Sequence, residues 1–208
     1  MLESLQFNAT GIFQPYVLWT ADTIDFEKGY NQLISENMGA FFVRETYLLS
    51  NFYNFLNQFR EGHFALFMDD CIFYRPLRIT AEELTSKLDH ETWAVNLRVG
   101  NNNVSENEKP LDPVSEDGGF LKYNFKEHSA FDSYGFCFSW DGVIYKTHAV
   151  MDFFDGSDFT ETDNLWAILP QRIENFATNN RDKCPKDLVC CPNKSCVVSM
   201  NYNSTHPS

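Results

Sequence analysis

Between Tyr16 and Leu88 the chain alternates three times between a short apolar run and a segment with apolar residues at helical spacing, and no other feature limits its possible folds as strongly. Tyr16 to Trp19 reads as a first strand, ending at the small polar cluster Thr20-Ala21-Asp22. From Thr23 the residues Phe26, Tyr30, Leu33 and Ile34 recur with the period of a helix. A second strand, Ala40 to Val43, ends at Arg44-Glu45-Thr46, and Leu48, Phe52, Phe55, Leu56 and Phe59 then line one face of a long helix closing near Gly62. Phe64 to Phe67 is a third strand, and Thr80 with Glu83 forms a capping box that starts a helix over about Ala81 to Leu88. This alternation predicts an α/β fold: a central, mostly parallel sheet with right-handed crossovers and flanking helices.

The third strand stops at two adjacent carboxylates, Asp69 and Asp70, before a second apolar run, within HFALFMDDCIFYRPL (His63 to Leu77). With 29 acids in 208 residues, roughly four adjacent acidic pairs arise by chance, so the dipeptide gains meaning only from its place. In an open α/β sheet, ligands bind outside the carboxyl ends of the strands. Carboxylate oxygens there suit Mg²⁺ or Mn²⁺, which complete an octahedral shell with water and substrate phosphates. The expectation is a metal–diphosphate site; its rival is a solvated acidic turn.

The second half is less regular. Trp93 to Val99 alternates as a strand up to Gly100, and Val104 to Gly119 reads as a loop. Phe120 to Phe125, Phe136 to Ser139 and Val143 to Tyr145 read as short strands, with Asp141-Gly142 as a tight turn or helix start. A helix is expected from Thr162 through Phe176, disturbed at Pro170, and a last strand over Cys196 to Met200. The first dozen residues carry little pattern, and no linker divides the chain. Residues 1–208 therefore read as one domain, long enough to bury most of its apolar surface.

A formal net charge of −13 argues against a nucleic-acid partner, which needs clustered Lys and Arg. No apolar run approaches bilayer length, and no basic start precedes an apolar core, so the expectation is a protein without a transmembrane segment, kept in the cytoplasm. Cys184, Cys190, Cys191 and Cys196 follow no usual zinc spacing and are expected to be reduced thiols.

The order of these motifs resembles the nucleotide-sugar-dependent glycosyltransferases of the GT-A fold, in which a D-x-D motif ends a strand and holds a divalent cation on the donor's two phosphates. Here the motif stands as Met68-Asp69-Asp70, with Met68 in place of the first acid. The blocks LRVGNN (Leu97 to Asn102), YGFCFSWDGVIYKT (Tyr134 to Thr147), FTETDNLWAIL (Phe159 to Leu169) and SCVVSMNYN (Ser195 to Asn203) are similar, in this order, to blocks of short microbial and viral members. Some of these transfer L-rhamnose to capsid glycans.

The resemblance implies residues 1–100 as a nucleotide-binding half and 101–208 as the acceptor side. It implies a UDP-sugar donor, a glycan or glycoprotein acceptor, Mn²⁺ or Mg²⁺ as cofactor and a retaining outcome. Viral capsid glycosylation would place the reaction in the host cytoplasm. Asp70 would ligate the metal with His206, whose type and position match the C-terminal histidine of such enzymes, and Asp69 would bind ribose or donor sugar. Thr20 and Arg44 would lie near base and ribose, and Arg98 near phosphate. Asp141 would act on the acceptor hydroxyl, as base in an inverting enzyme or by orienting it in a retaining one; its plainer role is to cap the turn. His128 and His148 have no partner pattern. Two other classes stay open: a nucleotidyltransferase making nucleotide sugars, which lacks a Gly-rich loop here, and a non-enzymatic carbohydrate-binding module.

Overall fold

The structure, a computed structural model, describes residues 1–102, 112–130, 133–157, 159 and 169–200. The strands and helices of the first half fall close to where periodicity sets them: β1 (Tyr16–Trp19), α2 (Ile24–Glu36), β2 (Phe41–Arg44), α3 (Leu48–Gln58), β3 (His63–Leu66) and α4 (Ala81–Ser86). Their caps act as expected. Thr23 Oγ1 accepts the Phe26 N–H, and Thr80 Oγ1 accepts the Glu83 N–H at 3.1 Å. Before β1 lies a helix without a sequence signal, α1 (Leu2–Asn8), and β4 (Cys71–Phe73) follows β3.

The sheet itself corrects the mostly parallel expectation. Its six strands run in the order β3, β8 (Val143–Lys146), β5 (Thr92–Asn96), β9 (Leu188–Pro192), β7 (Phe120–Asn124) and β6 (Ser115–Asp117), and only β5 and β9 pair in parallel. The strand–helix alternation is real, but it does not decide which strands become neighbours. β8, far along the chain, inserts between β3 and β5 and runs against both. β1 and β2 stay outside as a separate parallel pair, and β4 pairs with β10 (Val197–Ser199).

Side chains alternate across the sheet and feed two cores. On one face Phe64, Trp93, Val143 and Tyr145 pack with α3, α5 (Thr147–Phe154) and α6 (Leu169–Asn179). On the other, Val95, Leu97, Ile144 and Cys190 pack with α1, α4, β4 and β10. The molecule is thus a mixed α/β fold with helices on both faces of a mixed sheet.

Two further expectations change. Phe136 to Ser139 is not a strand: the Trp93 indole N–H reaches the Cys137 carbonyl and the Ser139 N–H reaches the Tyr145 hydroxyl, so side chains satisfy this backbone where a ladder would have. The expected loop over Val104 to Gly119 contains β6, turned onto β7 through Gly118 and Gly119, both at positive φ. The expected helix start at Thr162 lies outside the described residues. All six cysteines are free and buried, and burial pushes the Cys137, Cys184 and Cys190 thiols up to about 12. No helix among the described residues is long and apolar enough to cross a membrane.

Candidate functional site

Because β8 runs against β3 and β5, its amino end lies at the same sheet edge as their carboxyl ends. Three loops therefore meet there. Past β3, Met68 to Cys71 forms a tight turn, with the Cys71 N–H donating to the Met68 carbonyl at 3.0 Å, and Asp69 and Asp70 occupy its two central positions. Past β5 comes Arg98. Continuing the β5–β8 register two residues beyond the Asn96–Val143 pair sets Arg98 opposite Asp141, and their side chains bond at 2.8 Å.

Gly142 locks this junction. Its N–H donates to the Leu66 carbonyl at 2.7 Å and its carbonyl accepts the Leu97 N–H at 2.9 Å, joining the ends of β3 and β5. Its φ of +68° and the Val197 Cγ1 atom, 3.2 Å from where a Cβ would stand, leave glycine as the residue that fits.

Asp70, Cys71 and Asp141 present their ligand atoms within 4.8 Å of one another. The Cys71 thiol donates to Asp141 Oδ1 at 3.6 Å; burial, then the Asp141 charge, push it up to about 12. A neutral thiol of this kind is no ligand for a hard cation, so the donor set is two carboxylates. Burial, then the Asp141 charge, also push the Asp70 carboxyl up, and a hydrogen bond from Ser199 Oγ at 3.3 Å partly opposes this. Two oxygens sharing a cation at about 2.1 Å stand at most about 4.2 Å apart. Ligand atoms within 4.8 Å of one another are close enough that the two carboxylates could hold one divalent cation, with Arg98 the positive partner of one of them.

Asp69 is exposed beside them. Arg44 is engaged elsewhere, bonded to Glu27 of α2 at 2.8 Å and lying 5.4 Å from the Trp19 ring centre, while Thr20 is exposed at the end of β1. Both belong to the β1–α2–β2 unit and not to the Asp70–Asp141 group. His206 lies outside the described residues. His128 is buried and stacked on Tyr134, and His148 is exposed.

Two residues beside the acids had no reading as site residues: Cys71 and Ser199. Cys71 directly follows the two acids, and the run SCVVSM holds Ser199, but only the β4–β10 pairing opposes Ser199 to Cys71. No protein-family model, curated protein or solved structure matches this chain.

Proposed function

We propose that this protein is a metal-dependent glycosyltransferase that moves a sugar from a UDP-sugar to a glycan acceptor. The observation that carries this reading is the approach of Asp70 to Asp141 at the carboxyl edge of the sheet, with Arg98 beside them. Asp70 and Asp141 would hold Mn²⁺ or Mg²⁺, which when bound neutralises the charge that grows on the leaving diphosphate. Asp141 then takes a place in the cation site instead of at the acceptor hydroxyl. Arg98, 29% exposed along its side chain, orients Asp141 and would lie near a phosphate of the donor. Asp69, at the exposed corner of the same turn, would accept from sugar or ribose hydroxyls.

UDP release from a panel of UDP-sugars, UDP-L-rhamnose included, with mixed glycan acceptors and Mn²⁺, tests the activity. Turnover that stops with EDTA and in Asp70→Asn supports the reading. Turnover unchanged in Asp70→Asn would refute the metal assignment.

A further inference from the structure

The turn that carries Asp141 is held from behind by α6. The Trp140 N–H donates to Glu174 Oε1 at 3.2 Å, and the Trp140 indole N–H donates to the Pro170 carbonyl at 3.1 Å. The Ser139 hydroxyl accepts the Asp141 N–H at 3.3 Å and lies beside the same Glu174 carboxylate. Glu174 therefore binds the residue directly before Asp141 and borders the hydroxyl that holds the Asp141 backbone. On the other side the Trp140 ring packs against Phe52 and Phe138, with centroids 5.1 and 6.0 Å away.

Burial raises the Glu174 carboxyl above its ordinary range, so ionisation at this place has a cost. Ile173 and Ala177, which are fully buried, already pack α6 onto the core. Packing alone thus accounts for the helix's apolar face but not for a half-buried acid aimed at the Ser139–Asp141 turn.

We propose that Glu174 is a positioning residue: it fixes the Ser139–Asp141 turn so that the Asp141 carboxylate faces Asp70, and so sets the affinity of the centre for a divalent cation. This rests on the reading of Asp70 and Asp141 as cation ligands. Glu174 lies outside the ligand set and acts on the cation only through Asp141. Residues that orient ligands in this way typically change metal affinity by about 10- to 100-fold when replaced.

The test titrates Mn²⁺ into the full chain, with and without UDP, and follows the EPR signal of the free ion; melting in EDTA records folding separately. Glu174→Ala is expected to weaken Mn²⁺ binding about tenfold or more. Glu174→Gln, which keeps one acceptor oxygen for the Trp140 N–H, is expected to fall between it and the wild type. Ser139→Ala cuts only the hydroxyl link and gives a smaller loss in the same direction, which keeps the question open to measurement if Glu174→Ala does not fold. A purely structural role would lower the melting temperature and leave the affinity of the folded protein unchanged, and that result would overturn the proposal. Wild-type uptake lost in Asp70→Asn but equal in all three of these variants overturns it alone. A wild type that takes up no Mn²⁺ in either condition overturns the cation site with it.

Discussion

At the scale of single residues, the site depends on a glycine as much as on its acids. Gly142 holds the left-handed backbone that lets β8 begin between β3 and β5 while Asp141 turns toward Asp70. A side chain in that conformation costs about 1–2 kcal/mol, and here it also meets Val197. Gly142→Ala is expected to lose at least that much stability in urea denaturation and to weaken Mn²⁺ binding with it. The neighbouring thiol behaves oppositely. Cys71 is fully buried and neutral and touches the centre only through the weak bond of its thiol to Asp141, so Cys71→Ala is expected to weaken Mn²⁺ binding far less than Asp141→Asn, which loses it; calorimetric titration distinguishes the two.

Asp89 gives a pH prediction of known sign. Burial pushes its carboxyl up, but hydrogen bonds from Lys122 and from the N–H groups of Glu91 and Thr92 outweigh this and hold it well below the ordinary range. The unfolded carboxyl titrates near 3.9. A group depressed on folding contributes stability that is present above the unfolded pKa and is lost as pH falls toward the folded one. Wild type is therefore expected to lose more stability than Asp89→Asn between pH 6 and about pH 3 in parallel urea melts. The depressed Asp89 carboxylate accounts for that difference.

At the scale of elements, α1 shows what a short helix contributes through tertiary contacts alone. Leu2, Leu5 and Ala9 are buried, Asn8 Nδ2 donates to the Phe73 carbonyl at 2.7 Å, and Ser4 Oγ accepts the Phe73 N–H at 3.1 Å. α1 thus braces β4, the strand that leaves the Asp69-Asp70 turn. Leu5→Ala is expected to cost about 2–5 kcal/mol, read by denaturant midpoint.

The same elements show which parts of the fold the sequence makes legible. β1, α2, β2, α3, β3 and α4 were readable because periodicity and caps are local signals, fixed by residues three or four apart. α1 was not, because seven residues carry too few turns to show a period, and its stability comes from β4. Strand neighbours were not readable either. The insertion of β8 between β3 and β5 joins segments some eighty residues apart, and nothing in the β3–α4–β5 stretch marks the gap it fills. For the site, Asp70, Asp141 and Arg98 could be nominated singly as polar residues at strand ends. Their convergence needed the antiparallel register of β8, and Glu174 needed the packing of α6 behind Trp140.

At the scale of the whole molecule, the mixed sheet still gathers its chemistry at one edge. β3, β5 and β9 run in one direction, so their carboxyl ends deliver the Asp69-Asp70 turn, Arg98 and the segment leading to Ser199 to one place. That segment is pinned by Gly100, where a Cβ would stand 2.5 Å from the Ser195 nitrogen, and by Asn102, which accepts the Ser195 N–H at 2.7 Å. Two surface clefts lie elsewhere, one of about 410 Å³ beside Tyr53, Arg60 and Gly156, the other of about 460 Å³ beside His63, Lys146 and His148. With a net charge of −13 the protein draws cations weakly over its whole surface, so a specific centre must be recognised by its dependence on Asp70.

The most direct test of that centre is thermal stability with UDP, with and without Mn²⁺, in the wild type and in Asp70→Asn. At about a hundred times its dissociation constant, a ligand specific for the folded state adds roughly 2.7 kcal/mol. The account predicts stabilisation by UDP that requires Mn²⁺ and disappears in Asp70→Asn. No response to UDP in the presence of Mn²⁺, or an equal response in Asp70→Asn, would contradict it.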